Sequence, residues 1–212
     1  MVAIASSKST VASVRPFPRE RLGDSELVAE VRRGSPHALR AIWERYAEAV
    51  RATLHSSLGG DPAIDDLTQE VFVSFFRRAA QLRDPSALRS YLMGSAVRLA
   101  AVEKRSRARR RRRLEALASD PWGPAEQRPN VAGRDALRAL RAILDSVSER
   151  PRMAFILRYV QDLSPPEVAV ALGVSEATAK RAIARGRDRV TLLASREPAL
   201  QSYLSQLGRD SE

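Results

Sequence analysis

Three dipeptides, Ser35-Pro36, Asp61-Pro62 and Asp84-Pro85, punctuate the first half of the chain and narrow its fold more than any other feature. In each, a side-chain oxygen able to accept from orphan backbone donors precedes a proline. Proline's fixed φ suits the first helical position, where its missing N–H costs nothing. Each pair leads into apolar residues at i, i+3/i+4 spacing, the period of a helix with one buried face. Four helices are predicted. The first is short, about Ser25 to Arg33, with Leu27, Val28 and Val31 inward and Gly34 at its end. The second runs from Pro36 towards Ser57 and buries Leu39, Ile42, Trp43, Tyr46, Val50 and Leu54. The third, Pro62 to Leu82, buries Ile64, Leu67, Val71, Phe72 and Phe75, with Phe76 beside them. The fourth starts at Pro85 and carries Leu88, Tyr91, Leu92, Ala96, Leu99 and Val102 before an arginine run.

Residues 119–133 break this periodicity with three prolines and two glycines, the composition of a linker. The chain therefore divides into a disordered tail (1–22), a four-helix domain (23–113), a flexible linker (114–133), a second helical domain (134–194) and a C-terminal tail or short helix (195–212). The expected fold class is all-α, two small helical domains. Trp122, inside the linker, reads either as an aromatic lying on a neighbouring surface or as a docking anchor for a partner.

Composition supports helices and an anionic partner. Aromatic residues are only 5% of the chain, so its cores rest on Leu, Val, Ile and Ala. Cysteine is absent, which excludes disulfides, thiolate metal sites and a cysteine nucleophile. No apolar run approaches a membrane span, and the N-terminus lacks the apolar core of a secretory signal, so a cytoplasmic protein is expected. The net charge is +11, and Arg98, Lys104, Arg105, Arg107 and Arg109 to Arg113 place nine cations in sixteen positions. Nucleic acid, an acidic membrane and an acidic protein would all answer such charge. The arginine run itself is either a solvated helix end or a phosphate-tracking segment. An enzyme is the least supported class: there is no Gly-rich phosphate loop, and His37 and His55 lack a triad context. No cofactor or metal is called for.

In the second half, a helix is predicted over Asp135 to Val147 and another from about Ser148, carrying Met153, Ile156, Leu157 and Val160. Ser164-Pro165-Pro166-Glu167 then has the S-x-x-E form of a capping box. A short helix follows, with Val168, Ala169 and Leu172 inward. Gly173 supplies the left-handed residue that ends it, and Ser175 caps a helix from Glu176 to about Thr191. Two short helices on a tight glycine turn, in a basic chain, form a helix-turn-helix. Ala169 and Ala179 must be small or inward where the helices cross. The outward face then offers Ser175, Glu176, Thr178, Lys180, Arg181 and Arg185 to a major groove. An ordinary helical hairpin with a solvated basic face is the competing reading.

Asp65-Asp66-Leu67-Thr68-Gln69-Glu70-Val71-Phe72 resembles the D-L-x-Q-E-x-F heart of sigma region two. Leu157 to Ser164 resembles the L-R-Y-x-x-x-L-S opening of sigma region four, and Glu167 to Lys180 its helix-turn-helix. Both halves, in this order, make the chain similar to the RNA polymerase sigma factors of the two-domain extracytoplasmic-function (ECF) type. The resemblance implies that Asp65, Asp66, Gln69 and Glu70 dock on the β′ clamp helices of core polymerase. On the residues alone, these acids also fit a metal site, an acid/base pair or helix-start charges. It further implies that region four binds the β flap and reads the −35 promoter element. Region two would engage and open the −10 element, with Arg89, Tyr91, Arg98, Lys104 and Arg105 as candidates for holding an unstacked strand. An anti-sigma factor is a further expected partner. Leu200, Tyr203, Leu204 and Leu207 could serve it, or could form a helix packed on region four.

The chain also departs from the family pattern. Val97-Arg98 stands where Arg-Asn is usual, Val102 where an Asp is usual, and Tyr91-Leu92 where Trp-Leu is common. Ala179 replaces a larger apolar residue, and Ala182 and Ala184 replace polar residues often used for base contacts. These differences leave two alternatives to an initiating sigma factor: a sigma-like regulator that does not itself initiate, and an unrelated helix-turn-helix regulator.

Overall fold

A computed structural model describes residues 22–117 and 132–200, and every regular element among them is helical. Helix α1 (Asp24–Arg32) begins where the Glu26 carboxylate accepts the Gly23 N–H at 2.8 Å. It is tied to α2 (Pro36–Leu58) through Asp24, which accepts from the Tyr46 hydroxyl at 2.6 Å and pairs with Arg45 at 2.9 Å. Helix α3 (Ile64–Arg78) starts two residues later than the proline signal suggests. The Asp61 carboxylate takes the Ala63 N–H at 2.8 Å and holds Pro62 in a turn, so the helix proper opens at Ile64. A short 3₁₀ turn, Ala79–Gln81, ends that segment. A second one, Pro85–Ala87, is capped by Asp84 and runs straight into α4 (Leu88–Leu117). At 30 residues α4 is about 45 Å long and carries the arginine run on its exposed outer end.

The first core forms from faces that the spacing predicts: Ile42, Val50, Leu54, Val71, Phe72, Phe75, Leu88 and Leu92 are all buried. Trp43 stacks at a tilt on Phe72, with centroids 4.7 Å apart. Leu39, Trp43, Phe76, Tyr91 and Leu99 are only partly covered. Val102 corrects the predicted stripe of α4, because it is 49% exposed, while Met93, Val97, Ala100 and Ala101 are buried.

The second half comprises α5 (Ala132–Ser146), α6 (Glu149–Phe155), a π turn (Ile156–Val160), α7 (Pro165–Leu172) and α8 (Glu176–Ala194). The π turn widens the helix so that Ile156 and Leu157 face inward while Tyr159 and Val160 are exposed, against the inward place expected for Val160. Before α7, the Glu167 carboxylate accepts both the Ser164 N–H (2.8 Å) and the Ser164 hydroxyl (2.6 Å). These bonds pull the Glu167 pKa below the usual carboxylate range, with further help from Arg89.

The two halves share one hydrophobic core. The buried cluster that begins at Leu27 in α1 runs without a break through Leu92 and Ala96 of α4 into Leu157, Leu163, Ala171 and Ile183. A smaller cluster joins Ala136, Ile143, Leu144 and Val147 to Val190, Ala194 and Leu200. The expectations for the N-terminal tail, for Trp122 and most of the linker, and for Tyr203, Leu204 and Leu207 lie outside the described residues.

Candidate nucleic-acid interface

Helices α7 and α8 meet at a turn in which Gly173 adopts φ 65° and ψ 40°, a left-handed conformation that other residues rarely adopt. Ala169 and Ala179 fill the crossing, the latter with no exposure at all. Ser175 caps α8, its Oγ accepting from the Thr178 N–H at 3.3 Å. Seen along α8, the buried stripe is Ala179, Ala182, Ile183, Gly186 and Val190. Ala182 is thus a packing residue in this fold. The opposite face exposes Ser175, Glu176, Lys180, Arg181 and Arg185, with Thr178 half-buried. Lys180 pairs with Glu176 at 2.7 Å, and Arg181 donates to the Thr178 hydroxyl at 3.3 Å. A cationic surface one helix wide is presented to solvent at a helix N-terminal end, the geometry of a helix that enters a major groove.

A second surface lies on α3. Asp65, Asp66, Gln69 and Glu70 are all exposed on its outer side. Asp65 pairs with Arg51 of α2 at 2.7 Å, whereas the other three have no partner among the described residues. None of the four caps a backbone N–H, and no group of three or more metal-ligating side chains occurs among the described residues. This arrangement supports neither a capping role nor a metal site.

The α4 candidates lie quite differently. Arg89 donates to the Gln161 carbonyl at 2.5 Å, and Arg98 donates to the Ala171 carbonyl. Lys104 pairs with Asp145 of α5, and Arg105 with Glu149 of α6. Tyr91 rests half-buried against Phe75, its ring centroid 5.8 Å away. Burial pulls the Arg98 and Lys104 pKa values below their ordinary values, and for Lys104 it outweighs the hydrogen bond that the ammonium donates to Asp145. From the other side, Arg141 of α5 donates to the Leu58 carbonyl at the end of α2. Four of the five candidates are therefore occupied at the seam between the halves. Asp145, Glu149, Gln161 and Arg141 carry no motif in the sequence that points to this role.

Comparisons with known proteins agree with these two halves. Residues 42–110 match the family Sigma-70 region 2, and residues 137–190 match Sigma-70, region 4. The chain is 28% identical over 180 residues to the ECF RNA polymerase sigma-E factor of Escherichia coli K12, covering 81% of this chain and 94% of that protein. It is 31% identical over 150 residues to the ECF RNA polymerase sigma factor SigE of Mycolicibacterium smegmatis, covering 69% of this chain and 57% of that protein. In fold it is similar to CnrH, solved in complex with the cytosolic domain of CnrY (TM-score 0.63, 20% identity, 82% of this chain and 98% of that one). It is also similar to RpoE of Bartonella quintana, solved with the anti-sigma factor NepR (TM-score 0.55, 21% identity, 72% and 94%).

Proposed function

The chain belongs to the sigma-70 family, as an ECF sigma factor that directs transcription initiation with core RNA polymerase on promoter DNA, and we propose how its surfaces divide that task. Residues 23–113 act as region two, 134–194 as region four, and the intervening segment as their tether. The exposed acids of α3, Asp65, Asp66, Gln69 and Glu70, dock on the β′ clamp helices. Ser175, Glu176, Thr178, Lys180, Arg181 and Arg185 read the −35 element, with the cations taking phosphates and the N-terminal turn of α8 meeting base edges. Arg89, Tyr91, Arg98, Lys104 and Arg105 serve the −10 element once α4 is accessible. The observation that carries this division is that α8 has an outward basic face whereas α3 has an acidic one, largely unpaired among the described residues: one surface suits DNA and the other a protein.

The protein works by binding rather than by catalysis, beside polymerase in the cytoplasm. Among the described residues no helix is long and apolar enough to cross a membrane. An anti-sigma factor is a fitting regulator, since RpoE of Bartonella quintana, similar in fold, is solved with one.

Run-off transcription with purified core polymerase, on promoters mapped by transcript starts after overproduction, tests the reading. A promoter-specific transcript is expected. Its absence, with polymerase binding intact, would make the chain a sigma-like regulator that does not initiate. Charge reversal at Asp66 and Glu70 (Asp66→Lys with Glu70→Lys) is expected to abolish co-purification with core polymerase. Retained co-purification would remove α3 from the docking site.

A further inference from the structure

A cavity of about 740 Å³ lies against the outer half of α4, and we infer that it binds a chain of phosphates, either inorganic polyphosphate or the polyphosphate of a nucleotide. None of the promoter assignments is needed for this.

The α4 wall of the cavity is one helical stripe. Ala101, Lys104, Arg105, Ala108 and Arg112 recur at intervals of three and four residues, so they share a face. The two alanines leave room, and the cations extend along about 12 Å of helix from Lys104 to Arg112. Across from them, Arg141 and Asp145 lie one turn apart on α5, and Glu149 and Arg152 belong to α6.

Seven of the twelve lining residues are cations and two are acids. Both acids are taken, Asp145 by Lys104 and Glu149 by Arg105. Arg107 is matched by Asp61 and Glu103. Arg141 and Arg152 meet backbone carbonyls, those of Leu58 and Val147, and neither has a carboxylate partner among the described residues. Arg112, exposed, has none there either. Three guanidiniums therefore line one cavity with no anion to answer them. Their charge is felt by Lys104, whose pKa is lowered chiefly by burial, with Arg152 and Arg141 acting in the same direction.

A guanidinium fork matches phosphate oxygens two bonds at a time. A single phosphate reaches only part of such a stripe, whereas a chain of phosphates reaches along it. The volume falls in the range of small-ligand pockets, roughly 300–1,000 Å³. No aromatic side chain lines it, so a nucleobase has no ring to stack on and a single strand lacks its usual platform. What the lining offers is complementary to phosphate alone.

The full chain is titrated calorimetrically with sodium tripolyphosphate, in about 0.15 M salt so that diffuse attraction is screened. Saturable one-to-one binding is expected. Orthophosphate, and tripolyphosphate on the double variant Arg112→Gln with Arg152→Gln, should each bind about tenfold weaker, since charge-assisted bonds are forgone. Arg109→Gln with Arg113→Gln removes the same charge from α4 residues that do not line the cavity, and tripolyphosphate affinity should stay within about twofold. Equal losses from the two pairs, orthophosphate binding as tightly as tripolyphosphate, or no saturable binding would overturn the inference. ATP separates the two sources: affinity equal to or below that of tripolyphosphate identifies the inorganic chain, and tighter binding a nucleotide. A short single-stranded oligodeoxynucleotide that displaces tripolyphosphate, and weakens equally on the Arg112 and Arg152 changes, would give the cavity to nucleic acid and also overturn it. If the double variant loses helix content, Arg112→Gln alone is read against Arg109→Gln, both on exposed positions. Core polymerase takes no part in these titrations, so their failure leaves the sigma reading standing.

Discussion

Helices α4 and α8 are both long and rich in arginine, yet their cations do different things. On α8 the ion pairs and the Arg181 hydrogen bond are local: Lys180 to Glu176 one turn away, Arg181 to Thr178, Arg187 to its neighbour Asp188. Exposed pairs of this kind contribute little, because solvent screens them, and release their side chains readily to a better partner. On α4 the contacts cross the molecule, joining residues 41 to 73 positions apart in sequence; two end on carbonyls and two on carboxylates. Basic sequence therefore does not tell whether a helix is offered or occupied. In this fold the proposed −35 surface stands open to solvent while the proposed −10 surface is engaged.

The comparison breaks most visibly if the two halves fold independently. Leu157 has no exposure and sits in the cluster shared by α2, α4 and α7. Leu157→Ala should cost about 2–5 kcal/mol, the range for a buried leucine whose cavity collapses only partly. In urea melts followed by circular dichroism, a single transition moving to lower denaturant is expected. Two resolved transitions, only one of them shifted, would mean that the shared core does not couple the halves.

Next in size are the two basic faces themselves. Arg181→Ala and Arg185→Ala on α8 should each weaken duplex −35 binding by about 1–3 kcal/mol if they meet bases, or reduce the salt slope by about one if they meet phosphates. Arg105→Ala on α4, occupied by Glu149, should leave duplex affinity as it was. Equal losses from both helices, measured by anisotropy across a salt series, would erase the distinction.

The helices and most of the faces they bury are legible in the sequence because proline starts, caps and 3.6-residue stripes are local signals. The misses are equally physical. Asp61 holds Pro62 in a turn, so α3 starts at Ile64. The stripe of α4 rotates to bury Val97 and Ala101, leaving Val102 in water. Ala182 belongs to a buried stripe, three residues after Ala179 and four before Gly186, a spacing that is present in the sequence. The seam was illegible, because Asp145, Glu149 and Gln161 carry no local pattern that pairs them with α4. Gly94, a glycine in an otherwise good helix whose missing Cβ leaves room for Ala171, was its only local trace.

Acid should act on the two faces unequally. The Glu167 pKa is lowered by the Ser164 hydroxyl and N–H, with Arg89 of α4 adding to the effect. A carboxylate depressed in the folded state stabilises fully above its unfolded pKa of about 4.3, and that support is lost as pH falls through the lower folded value. The start of α7 is therefore expected to weaken only in strong acid. Glu167→Gln should flatten the acid limb of a pH–stability curve and cost about 1 kcal/mol at neutral pH, as lost caps do. An unchanged acid limb would show that the Ser164–Glu167 bonds contribute nothing to the helix-turn-helix.

The smallest effect expected is at Asp65, the one proposed docking acid that has a partner among the described residues. Its pair with Arg51 is exposed on both sides, 57% and 69%, so Arg51→Ala should change stability by no more than about 0.5 kcal/mol. Its effect on docking should carry the opposite sign to the Asp66 and Glu70 reversals. Freed of Arg51, Asp65 joins the neighbouring acids as an unpaired anion, and titration against core polymerase should show equal or slightly tighter binding. Weaker binding would mean that Arg51 itself meets the polymerase. The basic and acidic surfaces of α2 and α3 would then form one mixed interface, and the division between a protein-facing acidic helix and DNA-facing basic ones would have to be redrawn.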